Sequence, residues 1–209
     1  PCQGTPQLPV LQALGRFPSN NPIVEGRFFP EAPFFFAASR DRETRMTETR
    51  LKAAVLGASG YTGAETVRIL RNHPLVEPVA ATGNALAGKT LSDIFPHLRG
   101  KYDLDVVKAE DVDWSGIDVA FGCLPHGTSQ DLIETLPSHV KVVDLSSDYR
   151  FRDAVAYSKA YGREHIAPER TAKAIYGLSE HAADAMKGAD LVACPGCYPT
   201  AVLMVLLPL

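Results

Sequence analysis

This chain has too little cysteine for a disulfide scaffold: four residues scattered along 209. It also lacks charge of one sign. The net charge of −3 leaves no basic stripe to neutralise phosphates, which excludes the usual footprint of a nucleic-acid partner. No apolar run approaches the ~20 residues that a membrane-spanning helix needs. Metal ligation has little to work with. Cys194 and Cys197 form a C-x-x-C, but a structural zinc site needs a second ligand pair and none is evident, so no metal is expected. A thioredoxin-like dithiol remains conceivable, although that motif normally opens a helix after an early strand. Cys2 and Cys123 read as small buried hydrophobes. The one tryptophan, Trp114, reads as core or near-surface packing. What is left is 45% hydrophobic and 22% charged, ordinary for a globular chain of one domain or slightly more.

The two ends differ from the middle. Prolines crowd the first 45 residues, with Phe28-Phe29 and Phe34–Phe36 and no clean periodicity. Residues 1–45 therefore read as a disordered or spurious N-terminal extension, with Met46 opening the protein proper. A transit peptide is the alternative, but Glu25, Glu31, Asp41 and Glu43 are more acid than such peptides carry. At the other end the chain stops at Leu209, about three turns into an expected helix, and is read as truncated.

The middle opens with a short apolar run, Leu51–Leu56, followed at once by Gly57-Ala-Ser-Gly-Tyr-Thr-Gly63 and a helical pattern over Ala64–Arg71. Strand, glycine turn and helix in that order form a dinucleotide fingerprint with G-x-x-G-x-x-G spacing. Gly57 would allow the tight turn, Gly60 the close approach of a pyrophosphate, and Gly63 the packing of helix on strand. Ser59, Tyr61 and Thr62 complete the candidate phosphate cradle. The second strand, Val76–Ala81, ends in Thr82-Gly83-Asn84 instead of the acidic residue that would bind a ribose 2′-hydroxyl. NADP(H) is therefore the expected cofactor, with Thr82, Asn84 and Lys89 as candidate donors to its 2′-phosphate; a solvated Lys89 is the plainer reading. Further strands are expected at Val106–Lys108, Asp118–Cys123 and Val140–Asp144, with a helix over Thr128–Leu136. Alternating elements of this kind predict an α/β fold with a doubly wound, mostly parallel sheet. Ligands bind outside the carboxyl ends of such strands, which brings Pro125 and His126 to the nicotinamide side.

Late in the chain, Pro195-Gly196 leads into Cys197-Tyr-Pro-Thr-Ala201 and an apolar run. A turn feeding a helix there places Cys197 at the helix start, where unpaired amides and the dipole favour a thiolate and an oxyanion. Gly196 belongs to the same candidate substrate site. A nucleophilic thiol plus a dinucleotide site points to acyl-enzyme redox chemistry.

Five segments carry a resemblance. Gly57–Glu65, Leu124-Pro-His-Gly127, Asp144-Leu-Ser-Ser-Asp-Tyr-Arg150, Tyr176-Gly-Leu178 and Pro195–Ala201, in this order, closely resemble the longer type of N-acetyl-gamma-glutamyl-phosphate reductase, a relative of the aspartate-semialdehyde dehydrogenases. The resemblance runs from Lys52 to Leu209. It implies a Rossmann-type domain over 46–194 and only the first helix of an α/β catalytic domain over 195–209. It also implies NADPH-dependent reduction of N-acetyl-L-glutamyl 5-phosphate to the 5-semialdehyde in arginine biosynthesis, through a thioester on Cys197. Ser179 and Cys194 stand where that family often has Pro and Asn. The family's acid–base histidine would lie beyond Leu209. A homo-oligomer is expected on the same ground; a cytoplasmic location is expected from the absence of a signal peptide and from the reduced thiol the chemistry needs. Related acyl-phosphate reductases acting on an aminoadipate or aspartate derivative remain open, as does an inactive NADP-binding fragment. Arg150 is a candidate for holding substrate phosphate or carboxylate, or else forms an ion pair with Asp148 or Asp153. His165, His181 and Tyr198 are expected in plain roles, the two histidines at the surface and the tyrosine in packing.

Overall fold

A computed structural model describes residues 50–99 and 104–207. The expectation for residues 1–45, and for Cys2 within them, lies outside the described residues.

Among the described residues seven strands form one sheet: β1 (Leu51–Leu56), β2 (Val76–Thr82), β3 (Val106–Val107), β4 (Val119–Gly122), β5 (Lys141–Asp144), β6 (Ile175–Tyr176) and β7 (Leu191–Ala193). Their order is β3-β2-β1-β4-β5-β7-β6, and every pairing is parallel. Sequence order reverses direction between β1 and β4, the switch point where doubly wound sheets bind ligands.

Both faces of the central strands are buried, so β1 reads as an almost unbroken apolar run. Ala53 and Val55 of β1, with Val119, Phe121 and Val143, pack on one face against Val67 and Leu70. Ala54 and Leu56, with Ala120 and Val142, pack on the other against Ile133 and Leu136. Helix α1 (Tyr61–Leu70) supplies the first cover through the stripe Gly63, Ala64, Val67 and Leu70. The short α2 (Leu91–Ile94) follows β2, capped by the Thr90 hydroxyl accepting from the Asp93 N–H. Helix α3 (Ser129–Ile133) covers the second face. Pro78 sits inside β2, where it cannot donate to the ladder, and the β1–β2 register shifts between Ala53 and Ala54 to absorb it.

Beyond β5 come three helices, α4 (Ala154–Tyr161), α5 (Pro168–Lys173) and α6 (Ser179–Met186); α4 and α5 are tied to α3, through Tyr157 to Gln130 and Arg170 to the Ile133 carbonyl, and α6 lies beside β6. Asp153 caps α4 by accepting from the Val155 N–H, and Gly162 closes it with φ +68°. The last element, α7, spans Cys197–Leu206. The expected strands and the helix at Cys197 stand within a residue or two of their forecast bounds, while β6, β7, α4, α5 and α6 were not forecast.

Candidate active site

The strand ends are stitched together by short contacts along the carboxyl edge of the sheet. Gly57 adopts φ +76°, and a side chain there would bring its Cβ to 2.6 Å from the Cys123 carbonyl oxygen. The glycine turn thus lies directly on the end of β4. Gly63 has no more room: a Cβ would meet the Gly57 oxygen at 2.3 Å. Gly60 differs, since a Cβ there would find only that same oxygen, at 3.5 Å. Its backbone lies bare at the entrance to α1, as a phosphate cradle requires. Ser59 borders Gly83, whose Cβ would approach the Ser59 hydroxyl to 2.6 Å. Tyr61 and Thr62 are exposed on the first turn of α1, Tyr61 at 91%.

Thr82 is buried, and its Oγ1 accepts from the Gly57 N–H at 3.4 Å. Asn84 and Lys89 are exposed in the segment after β2. The Lys89 carbonyl accepts from the Val106 N–H at 2.8 Å, which ties that segment to β3. A groove of about 490 Å³ lined by Lys52, Val79, Ala80, Leu104, Val112 and Ile117 lies away from this edge and contains none of the candidate residues.

Past β4, Pro125 and His126 are exposed. His126 Nδ1 accepts from the Ser147 N–H at 3.1 Å, joining the β4 loop to the β5 loop. Arg150 then joins the β5 loop to the β7 loop. Its Nε donates to the Cys194 carbonyl and its Nη2 to the Leu145 carbonyl, both at 2.8 Å. These carbonyls, rather than Asp148 or Asp153, are its partners, which corrects the ion-pair alternative. A Cβ on Gly196 would meet Arg150 Nη1 at 3.1 Å, so the guanidinium lies against the turn that carries Cys197.

Cys197 is exposed at the first position of α7, with Gly196 as the N-cap. Among the described residues neither its amide nor that of Tyr198 has a hydrogen-bond partner, and Pro199 has no N–H to offer. The other two described thiols differ. Burial pushes Cys123 up to about 11, although its bond with the Thr66 hydroxyl opposes the shift. Burial first, and then the nearby Asp144 and Cys123, push Cys194 up to about 12, with Arg150 opposing.

Two further readings are corrected. His165 is buried, at 8% exposure, not at the surface. Its Nδ1 accepts from the Ala167 N–H at 3.0 Å and its Nε2 donates to the Asp148 carbonyl at 2.7 Å. Tyr198 is 83% exposed, not packed. His181 is exposed, and Trp114 is half-buried against the core.

Sequence reasoning missed the buried carboxylates beneath the edge. Asp144 accepts from the hydroxyls of Ser129, at 2.7 Å, and Ser146, at 2.6 Å, and from the Ser146 N–H at 3.2 Å. Burial raises its carboxyl above the ordinary value against those three bonds. The run Ser146-Ser147-Asp148 after a strand was the available signal.

The sequence model for the NAD-binding domain of semialdehyde dehydrogenases matches residues 52–189. The chain belongs to this family. The chain is 50% identical over 159 residues to N-acetyl-gamma-glutamyl-phosphate reductase of Paracoccus denitrificans, covering 76% of this chain and 46% of that protein. It is 47% identical over 159 residues to a rice protein named as a probable chloroplastic N-acetyl-gamma-glutamyl-phosphate reductase, covering 76% and 38%. The chain thus matches less than half the length of these relatives. Among solved structures, aspartate semialdehyde dehydrogenase of Candida albicans with NADP shares the fold at 19% identity and TM-score 0.51, over 77% of this chain and 46% of that one. The Vibrio cholerae aspartate semialdehyde dehydrogenase II does so at 19% and 0.53, over 77% and 42%. The semialdehyde dehydrogenase NAD-binding domain includes the glycine turn and His126; Cys197 falls beyond the matched residues.

Proposed function

We propose that the chain is the cofactor-binding and nucleophile-bearing part of an NADPH-dependent acyl-phosphate reductase. Its reaction is the reduction of N-acetyl-L-glutamyl 5-phosphate to N-acetyl-L-glutamate 5-semialdehyde, a step of arginine biosynthesis. The 50% identity with the Paracoccus reductase carries this reading. The free, exposed Cys197 at a helix start supports it.

The bare backbone at Gly60 and the crowded positions Gly57 and Gly63 suit a dinucleotide pyrophosphate, with Ser59, Tyr61 and Thr62 around it. Asn84 and Lys89, exposed after β2, take the adenosine ribose, whereas Thr82 is buried against the Gly57 N–H and is withdrawn as a phosphate donor; no carboxylate ends β2 to repel a 2′-phosphate. Pro125 and His126 take the nicotinamide side. When bound, the reduced cofactor supplies a hydride.

The Cys197 thiolate attacks the acyl carbon; a C–S bond forms, the C–O bond to phosphate breaks, and inorganic phosphate leaves. The thioester on Cys197 would hold its carbonyl carbon for the hydride that the bound cofactor would supply. The C–S bond of the resulting hemithioacetal breaks, freeing the aldehyde and restoring the thiolate. The amides of Cys197 and Tyr198 stabilise the oxyanion in each half of the cycle. Arg150, anchored through two of its nitrogens, turns Nη1 and Gly196 toward the substrate phosphate or carboxylate. No histidine here is assigned acid–base work. In this proposal residues 46–194 bind the cofactor and residues 195–209 belong to the catalytic domain. The enzyme works as a cytoplasmic homo-oligomer.

Phosphate-dependent reduction of NADP by the complete enzyme with N-acetylglutamate semialdehyde tests the reading. Cys197→Ser is expected to abolish turnover, by at least ~10³-fold, and to spare cofactor binding. Retained turnover would remove Cys197 from its role, and tighter binding of NAD than NADP would overturn the cofactor choice. The 209-residue chain alone is expected to bind NADP(H) without turnover.

A further inference from the structure

One buried carboxylate holds the β4 loop in place. Asp148 is fully buried. Its two oxygens accept from the Gly127 N–H at 2.8 and 3.0 Å, and one of them accepts from the Gln130 N–H at 3.2 Å. The Tyr157 hydroxyl donates to the other at 3.0 Å. Among the described residues no Lys or Arg side chain bonds it. A carboxylate held only by neutral donors is a costly thing to bury. Here it fixes the turn Pro125-His126-Gly127 from beneath, while the residue before it, Ser147, donates its N–H to His126 Nδ1 at 3.1 Å.

That bond decides the ring's tautomer. With Nδ1 accepting, the ring proton sits on Nε2, on an exposed side chain that no described residue engages through that nitrogen. The donor stands at the carboxyl end of β4. In the order β2-β1-β4, a pyrophosphate at the glycine turn after β1 sends one half of a dinucleotide over β2 and the other over β4.

We infer that Asp148 is a positioning residue, and that it presents His126 Nε2–H to an acceptor oxygen in the nicotinamide half of the bound dinucleotide. The inference rests on the cofactor reading above. The adenosine half, over β2, is out of its reach.

Two ligands separate the halves: NADPH, and 2′-phospho-ADP-ribose, which lacks nicotinamide. In calorimetric titrations of the 209-residue chain, His126→Ala weakens NADPH about tenfold, as the loss of one hydrogen bond would, and leaves 2′-phospho-ADP-ribose unchanged. His126→Gln restores most of the loss, since its amide can accept from Ser147 and still donate. Asp148→Asn gives the same selective loss. Tyr157→Phe, which leaves both loop amides bonded to Asp148, gives a smaller one and serves if Asp148→Asn does not fold. Equal weakening of both ligands, or of neither, would overturn the inference. Nitrogen NMR of the His126 ring is expected to show the Nε2–H tautomer, and an Nδ1–H tautomer would overturn the positioning whatever the ligands do. A wild-type chain that bound neither ligand would overturn the cofactor reading itself, and the inference with it.

Discussion

Cys123, Cys194 and Cys197 lie along one edge of one sheet, yet their surroundings set them apart. Burial holds the first two thiols protonated, at about 11 and about 12, while Cys197 meets solvent at a helix start. Brief iodoacetamide treatment near neutral pH is therefore expected to alkylate Cys197 and to leave Cys123 and Cys194 untouched in peptide mass maps. Prior labelling of Cys194 would contradict the burial. His73 gives a second prediction at this scale. It is buried, accepts from the Leu75 N–H through Nδ1, and desolvation lowers it from the ordinary 6.5. Its unfolded form binds a proton more readily than its folded form, so its contribution to stability is present above 6.5 and is lost as pH falls through the lowered folded value. The melting temperature is expected to drop between pH of about 7.5 and about 5.5, and His73→Asn, which keeps an acceptor without a titration, to reduce that drop. An unchanged slope would assign the pH dependence elsewhere.

The glycine turn is legible in sequence because each glycine answers a different steric demand at the scale of the strand–turn–helix unit. Gly63→Ala puts a methyl into the Gly57 backbone and is expected to destabilise the fold by about 2–3 kcal/mol in urea unfolding. Gly60→Ala meets only an ordinary contact with negative φ, so stability is expected to hold while dinucleotide binding weakens. If both variants lost stability alike, the turn's division of labour would be wrong. The strands β1, β4 and β5 were equally legible, because burial on both faces leaves a continuous apolar run. Strands β6 and β7, of two and three residues, were not, because so few residues establish no period. Helices α4 and α5 bury only one residue each, Tyr157 and Thr171, so no apolar stripe marks them. The site was read unevenly for a related reason. Residues in turns announce themselves through glycine and proline, whereas Asp148 acts by pointing inward, a direction fixed only when the β5 loop folds over α3.

At the scale of the whole molecule, α7 stands out. It buries none of its residues, and Val202, Met204, Val205, Leu206 and Leu207 are exposed, Val205 at 66%. A helix so apolar and so uncovered within the described chain is expected to drive self-association. Light scattering of the 209-residue chain should therefore rise with concentration, and Val202→Glu with Val205→Lys should suppress the rise without loss of secondary structure. A monodisperse wild-type chain at high concentration would count against it.

The order of the strands has a bearing on biosynthesis. β6 is made before β7 but, among the described residues, pairs only with it, while β7 fills the place beside β5. As the chain leaves the ribosome, β6 has no neighbour to join until the last strand arrives. The Arg150 contact with Cys194 waits for the same event. The segment that delivers the thiol is thus also the one that completes the sheet. A nascent chain with an unfinished sheet cannot hold a reactive cysteine in its working position.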